Sequence, residues 1–273
     1  MAATISGRTL RACLQAAIWV VPLFLILPFV GIVSASFSRS GALAFPPSDW
    51  TLHWYQSIPE PYFEALRYSL SLGAWTTALV TVLGVPLSLA LVRGRLPARS
   101  FLNTLCIAPL GVPTIVIAVA GFKFSMWIAD SWGYSLNGSS AGIVLMQSVF
   151  TLPLLVRSVV SSFAHYDNAL DEAAQNLGAS PWQVFWRVTV PLIVPGVLAG
   201  MLFAFVLSFD DVVVAWFMGD PGTPTLPVKL FTAMEVEFDN AITALSTLIV
   251  TAWAILLFLL SRFFQLERVL VRD

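Results

Sequence analysis

The sequence predicts an all-α membrane protein with six spanning helices and both termini in the cytoplasm. Composition, six charge-bounded apolar intervals and a lopsided arginine distribution carry that prediction. Of 273 residues, 58% are hydrophobic and only 11% charged, whereas a soluble domain carries roughly 25% charge. With a mean hydropathy of +0.84, the chain cannot cover a water-facing surface. A soluble enzyme is excluded, and a net charge of −1 leaves no basic footprint for nucleic acid.

A bilayer-spanning helix needs about 20 predominantly apolar residues. Six intervals meet that length, between Arg11 and Arg39, Arg67 and Arg93, Arg99 and Lys123, Asp130 and Arg157, Arg187 and Asp210, and Asp239 and Arg262. The first begins at Ala12 and exceeds the 7–15-residue core of a secretory signal. Despite the small residues Ser34, Ala35 and Ser36, it is therefore expected to stay as a helix. The fifth is expected to continue past Asp210 through residues 212–218. Prolines at 22, 28, 86, 109, 113, 153 and 195 fall inside these runs. A mid-helix proline removes a backbone hydrogen bond, which suits a bundle around a path, although membrane helices are proline-enriched anyway.

Orientation follows from the basic residues. Six spans put ten arginines on one side (Arg8, Arg11, Arg93, Arg95, Arg99, Arg157, Arg187, Arg262, Arg268 and Arg272). Only Arg39, Arg67, Lys123 and Lys229 fall opposite, so the first side is cytoplasmic. The outer side carries Asp49, Glu60, Glu64, Asp130, Asp220, Glu235, Glu237 and Asp239. That surface either attracts cations mildly or is ordinary solvated loop.

The constellations of catalysis are missing from the sequence. Cys13 and Cys106 sit in apolar runs, and His53 and His165 lie on different loops, so no metal set forms. No Gly-Lys-Ser or Gly-Lys-Thr occurs, which removes the phosphate-cradling loop of a nucleotide site. Asp210 and Asp211 alone approach a catalytic cluster, and no second reactive group accompanies them. No catalytic residue and no cofactor bound by this chain is expected.

The cytoplasmic segment 165–191 is the most informative. It reads as helix, break, helix. Asp167 can cap the first helix, Gly178 suits the left-handed position that ends it, and Ser180, Pro181 and Gln183 make a capping box. In the first helix Ala169, Leu170, Ala173, Ala174 and Leu177 share one stripe. That stripe can dock into a partner's groove or pack on its own bundle, and amphipathicity does not choose between them.

Glu172-Ala173-Ala174, three residues, Gly178, nine residues, then Val188-Thr189-Val190-Pro191 resembles the signature loop of ABC-type import permeases. The family's signature ends in Ile-x-Leu-Pro, and valines stand here at both aliphatic positions. Segments 208–215, 226–230 and Trp54-Tyr55 look like the spermidine/putrescine branch, in its second permease subunit. Relatives of that branch move other small solutes, including aminophosphonates and opines. The resemblance implies a type I importer permease in a bacterial inner membrane. It would pair with a sister permease, an ATPase dimer holding ATP and Mg, and a periplasmic or lipid-anchored binding protein. Glu172, Ala173, Ala174, Leu177, Gly178 and Pro191 would then couple this chain to the ATPase. The implied domains are an N-terminal helix and outer loop (1–65), a permease core (66–262) with its loop at 165–190, and a tail (263–273).

Asp210 lies about 28 Å along its helix from Pro191, at ~1.5 Å per residue, toward the outer face. An ionisable group there is by default functional. Helical neighbours point about 100° apart, so at most one of Asp210 and Asp211 can face a path squarely. One is expected to line a cation path beside Phe209 and the other to orient the helix; a hydrated structural pair is the alternative. An ion-coupled carrier using the two carboxylates is the rival of another class. Trp54 and Tyr55, with Trp50, can bind an ammonium group by cation–π attraction or sit at the membrane interface or against a binding protein.

Overall fold

Backbone groups in hydrocarbon must be satisfied within their own segment, so apolar runs of this length fold as helices. A computed structural model describes residues 7–39, 49–94, 97–163, 169–236 and 240–264. In chain order it contains α1 (Gly7–Ser36), α2 (His53–Gln56), α3 (Glu60–Arg93), α4 (Arg99–Ile107), a 3-10 turn (Ala108–Gly111), α5 (Thr114–Trp132) and α6 (Ser140–Ser162). There follow α7 (Ala169–Asn176), α8 (Pro181–Val184), a π-helical turn (Phe185–Thr189), α9 (Val190–Phe209), α10 (Val213–Met218), α11 (Leu226–Val236) and α12 (Asn240–Phe264). Six helical stretches among the described residues are long and apolar enough to cross a membrane.

Arg11, Arg67, Arg157 and Arg262, expected as bounds, lie inside α1, α3, α6 and α12, and two of the expected spans are interrupted. The third interval, Arg99 to Lys123, is not one helix: α4 stops at Ile107, and Pro109 and Pro113 bracket a turn before α5 starts at Thr114. Proline lacks the donor that would continue the helix. α5 then carries Lys123 inside it and runs on to Gly133, whose φ of +72° closes its end. The fifth span does not continue unbroken past Asp210 as expected: α9 ends at Phe209 and a separate helix, α10, starts at Val213.

The chain divides into two units, residues 1–60 with 233–273, and residues 61–232. In the first, α1 packs on α12. Beyond α1, Ser38 and Trp50 form an antiparallel bridge, and Phe37 lies 5.4 Å from the Tyr55 ring.

In the second unit α6 and α9 make the most extensive helix pair. Gly196 and Gly200 are why they come so close. A Cβ on Gly200 would lie 2.9 Å from the Leu155 Cα, and one on Gly196 would meet the Ser162 hydroxyl and, at 2.6 Å, the Ser158 carbonyl. Small residues four apart let membrane helices touch backbone to backbone. Around this seam Val80 of α3, Leu155 and Val159 of α6 and Ile193 and Ala204 of α9 form one buried cluster. A second joins Leu72, Ala118, Ile143, Val214 and Met218. Several hydroxyls within the spans bond back to their own helix, as Ser88 does to the Gly84 carbonyl at 2.6 Å and Thr151 to the Gln147 carbonyl at 2.8 Å, which removes an unsatisfied donor from the apolar interior.

Candidate functional site

The cytoplasmic loop folds as its sequence predicts wherever it is described; His165 and Asp167 lie outside the described residues. At the end of α7 the Gly178 N–H donates to the Gln175 carbonyl (2.9 Å) and Ala179 N–H to Ala174 (3.0 Å). That bonding pattern needs a left-handed residue, and Gly178 has φ +86°. Ser180 accepts from the Gln183 N–H at 3.4 Å, and the Gln183 side chain accepts from the Ser180 N–H at 2.8 Å. This capping box starts α8 with Pro181 in its first turn.

Between α8 and α9 the helix widens into a π turn, closed by the Val190 N–H donating to the Phe185 carbonyl. Pro191, one residue on, has no N–H to donate, so the ladder must be rearranged about it. π turns of this kind concentrate at functional sites.

Leu177 is 90% exposed and Leu170 47%, with Glu172 and Ala173 exposed and Ala174 half-buried. Leu177 is therefore left uncovered by this chain's own bundle, and Leu170 only half covered. Asp171 turns inward instead, where its Oδ2 accepts a 2.8 Å charged hydrogen bond from Arg93 Nη2. Arg93 also donates to Thr189 Oγ1 at 2.8 Å. From the sequence Arg93 was only a boundary charge and one of the ten arginines that set the orientation. Trp182, Phe185 and Trp186 form a ring cluster with centroids 5.3–6.0 Å apart. The two indoles remain largely exposed.

The acidic pair sits in the helix break rather than on a helix. Asp210 ends α9, with its N–H donating to the Val206 carbonyl at 3.0 Å, and its side chain is exposed. Asp211, one residue before the Val212 N-cap, caps α10 from outside, accepting from the Val214 and Ala215 N–H groups at 3.3 and 3.1 Å. Its Oδ2 also accepts from Gln147 Nε2 at 3.2 Å. The two carboxylates diverge because the chain turns between them, not through the 100° step of a continuous helix. Phe209 is buried and stacks on Phe205 at 6.3 Å.

Gln147 is the hub that sequence reasoning missed. It is 1% exposed. Besides Asp211, its Nε2 donates to the Ser208 carbonyl (3.1 Å), and its Oε1 accepts from Ser208 Oγ (2.5 Å) and Thr76 Oγ1 (3.1 Å). One amide thus ties α3, α6, the end of α9 and the start of α10. A glutamine within an apolar span was the available signal, but its partners are 61 to 71 residues away. Replacing Gln147 with leucine strands both hydroxyls, at about 1–3 kcal/mol for a buried group left unpaired, and takes one donor from the Asp211 carboxylate, which keeps the Val214 and Ala215 N–H groups. The Gln147→Leu chain is expected to melt well below wild type in detergent. Asp211→Ala loses a cap worth about 1 kcal/mol and should also melt earlier, whereas Asp210→Asn should leave the midpoint unchanged.

Trp54 and Tyr55 are half-buried and locally engaged. The Trp54 indole N–H donates to the Ser38 carbonyl at 2.9 Å, and the Tyr55 hydroxyl lies 2.7 Å from Ser36 Oγ. Within the second unit Trp216, Asp220 and Thr225 border a cleft of about 310 Å³. The Thr225 hydroxyl is buried without a hydrogen-bond partner, and Asp220 accepts from the Gly222 N–H at 3.0 Å. Among the described residues no three His, Cys, Asp or Glu side chains gather to hold a metal.

Comparison with known proteins adds a family. The family described as "Binding-protein-dependent transport system inner membrane component" matches residues 81–267. The putrescine transport system permease protein PotI of Escherichia coli K12 is 30% identical over 239 residues, covering 86% of this chain and 85% of the relative. The spermidine/putrescine transport system permease protein PotC of the same strain is 27% identical, covering 89% of each. Among solved structures, a bacterial ABC transporter involved in import of the acidic polysaccharide alginate contains a chain that superposes with a TM-score of 0.71. It covers 97% of this chain and 99% of its own at 14% identity, a likeness of fold.

Proposed function

The chain belongs to the family of binding-protein-dependent transport system inner membrane components, and on that premise we propose that it carries a polyamine across the membrane. It is a multi-pass inner-membrane permease of an ABC importer, and its part in transport is to form the path, not to catalyse. In the proposed assembly a sister permease completes that path. A periplasmic or lipid-anchored protein delivers the solute, and an ATPase dimer with ATP and Mg supplies the energy.

The observation that carries this reading is the attitude of α7. Leu170 on it and Leu177 just past its end are exposed, while Asp171 is held to Arg93. Glu172, Ala173, Ala174, Leu177 and Gly178 would seat in an ATPase cleft, with Pro191 at the root of α9 receiving the motion. A ligand shifts such a bundle between inward- and outward-open states only through different affinities for the two. ATP would do so by closing the ATPase dimer around the docked helices.

The polyamine reading draws on the names of the two relatives and on Asp210. Its carboxylate is exposed at the helix break while Asp211 is occupied by the α10 cap and Gln147. Asp210 would meet an ammonium group in the path, with Asp211 and Phe209 holding the break in shape. Trp54 and Tyr55 would serve the outer face, in contact with binding protein or solute.

Uptake of labelled putrescine and spermidine tests the reading, using the transporter purified through the tagged chain with its partners and reconstituted in liposomes. ATP-dependent uptake of a polyamine, lowered about ten-fold or more in Asp210→Asn without loss of assembly, is expected. Uptake confined to an anionic or zwitterionic solute, such as an aminophosphonate or opine, overturns the polyamine assignment and leaves the importer.

A further inference from the structure

The contacts of Arg93 join four parts of the second unit at one guanidinium. Arg93 is the last residue of α3, where a cation also suits the negative end of the helix dipole. Nη2 donates to Asp171 of the loop helix α7 at 2.8 Å, and Nη1 donates at 2.8 Å to Thr189 in the π turn at the root of α9. Its Cζ lies 5.6 Å from the centroid of the Phe163 ring, which caps the end of α6. Thr189 is fully buried and Phe163 nearly so. The ion pair is partly exposed, with side chains at 31% and 19%.

A planar fork has a fixed angle between its two donors, so holding two acceptors fixes them relative to each other. Here one acceptor belongs to the helix read as docking into the ATPase and the other to the foot of a spanning helix. The intervening chain, residues 172–188, contains a glycine turn and a widened helix, both of which can bend. The fork bypasses that compliant route.

From this geometry we infer that Arg93 is a positioning residue that couples α7 to the spanning helices. A displacement of α7 is passed through Asp171 and Arg93 to Thr189 and α3. Without the fork, α7 follows the ATPase while the bundle lags. This inference rests on the docking reading above and adds to it the mechanical link on the permease side.

The test compares wild type, Arg93→Gln, Asp171→Asn and the double variant in the reconstituted complex, measuring solute moved per ATP hydrolysed. ATP hydrolysis persists in each assembled complex. Transport per ATP falls about ten-fold in Arg93→Gln and about five-fold in Asp171→Asn, the range of coupling between linked sites. The double variant is no worse than Arg93→Gln, because both changes break one link. Arg93→Lys restores only part of the ratio, since one ammonium cannot hold both acceptors in a fork. An unchanged ratio in Arg93→Gln overturns the inference. So do losses that multiply in the double variant, or that track the amount of assembled complex. If Arg93→Gln does not assemble, Asp171→Asn, which leaves α3 intact, carries the test by itself. Cross-linking from position 177 to the ATPase separates the two failures. If it persists while the ratio is unchanged, the link fails and docking stands; if it is absent, docking itself fails.

Discussion

Substituting Gly178 with valine is expected to abolish solute uptake while the chain still inserts and folds. At φ +86° the backbone is left-handed, a conformation that costs a residue bearing a Cβ about 1–2 kcal/mol and a β-branched one more. A Cβ there would meet nothing within 4 Å, so the effect is conformational and not a clash. The left-handed turn directs Ala179 back to the Ala174 carbonyl and lets Ser180 begin the next capping box. Once the turn opens, α7 loses its angle to α8 and its leucines no longer present a fixed surface. A graded series identifies this cause. Asparagine, which tolerates the left-handed region, should retain most uptake, alanine less, and valine little or none. The ratio of transport to ATP hydrolysis at equal expression measures it; valine activity equal to wild type would detach the turn from function.

The second large effect is expected at Gly200, and it is of a different kind. A Cβ there lies 2.9 Å from the Leu155 Cα and 3.3 Å from its carbonyl oxygen, and backbone cannot rotate away as a side chain can. Overpacking a tight seam costs about 1–3 kcal/mol and sometimes more. α6 and α9 form the largest helix pair of the second unit, and Gln147 and Asp211 meet beside it. Gly200→Val should therefore lose folded protein altogether, seen as aggregation on size exclusion of a fluorescent fusion. By contrast, Gly178→Val should elute as wild type. The pair of variants separates a defect of packing from a defect of coupling.

Sequence pattern carried most of the local structure. The Schellman turn at Gly178 and the capping box at Ser180 are set by neighbours within a few residues, and each was legible; the apolar stripe of α7 was legible too, but not the side it faces. The number of spans was legible as well, because hydrocarbon imposes a length on every apolar run. Boundaries inside a run were not. Hydropathy alone does not distinguish the turn at 108–113 from a helix, although Pro109 and Pro113 bracket it, and a charge such as Lys123 can lie within a helix as well as end one.

The acidic pair was found but its geometry was not. A helix of 3.6 residues per turn was assumed across Asp210, and the break there depends on Asp211 finding the α10 amides and Gln147. Those partners come from α6 and from the chain beyond, so periodicity could not predict them. Gly196 and Gly200, four apart in an apolar run, carry the pattern of a close-packing seam, a signal that sequence reasoning passed over. The contacts of Arg93 carry no such pattern, since its acceptors lie 78 and 96 residues further along the chain.

The most direct measurement is site-specific cross-linking from Leu177, the most exposed of the loop's leucines. Leu177→Cys in a chain with Cys13 and Cys106 changed to serine would be treated with a short thiol-to-amine cross-linker in native membranes. The expected result is an adduct with an ATPase whose yield changes when ATP is added. Absence of any such adduct, while the same chain supports transport, would contradict the coupling role assigned to the loop.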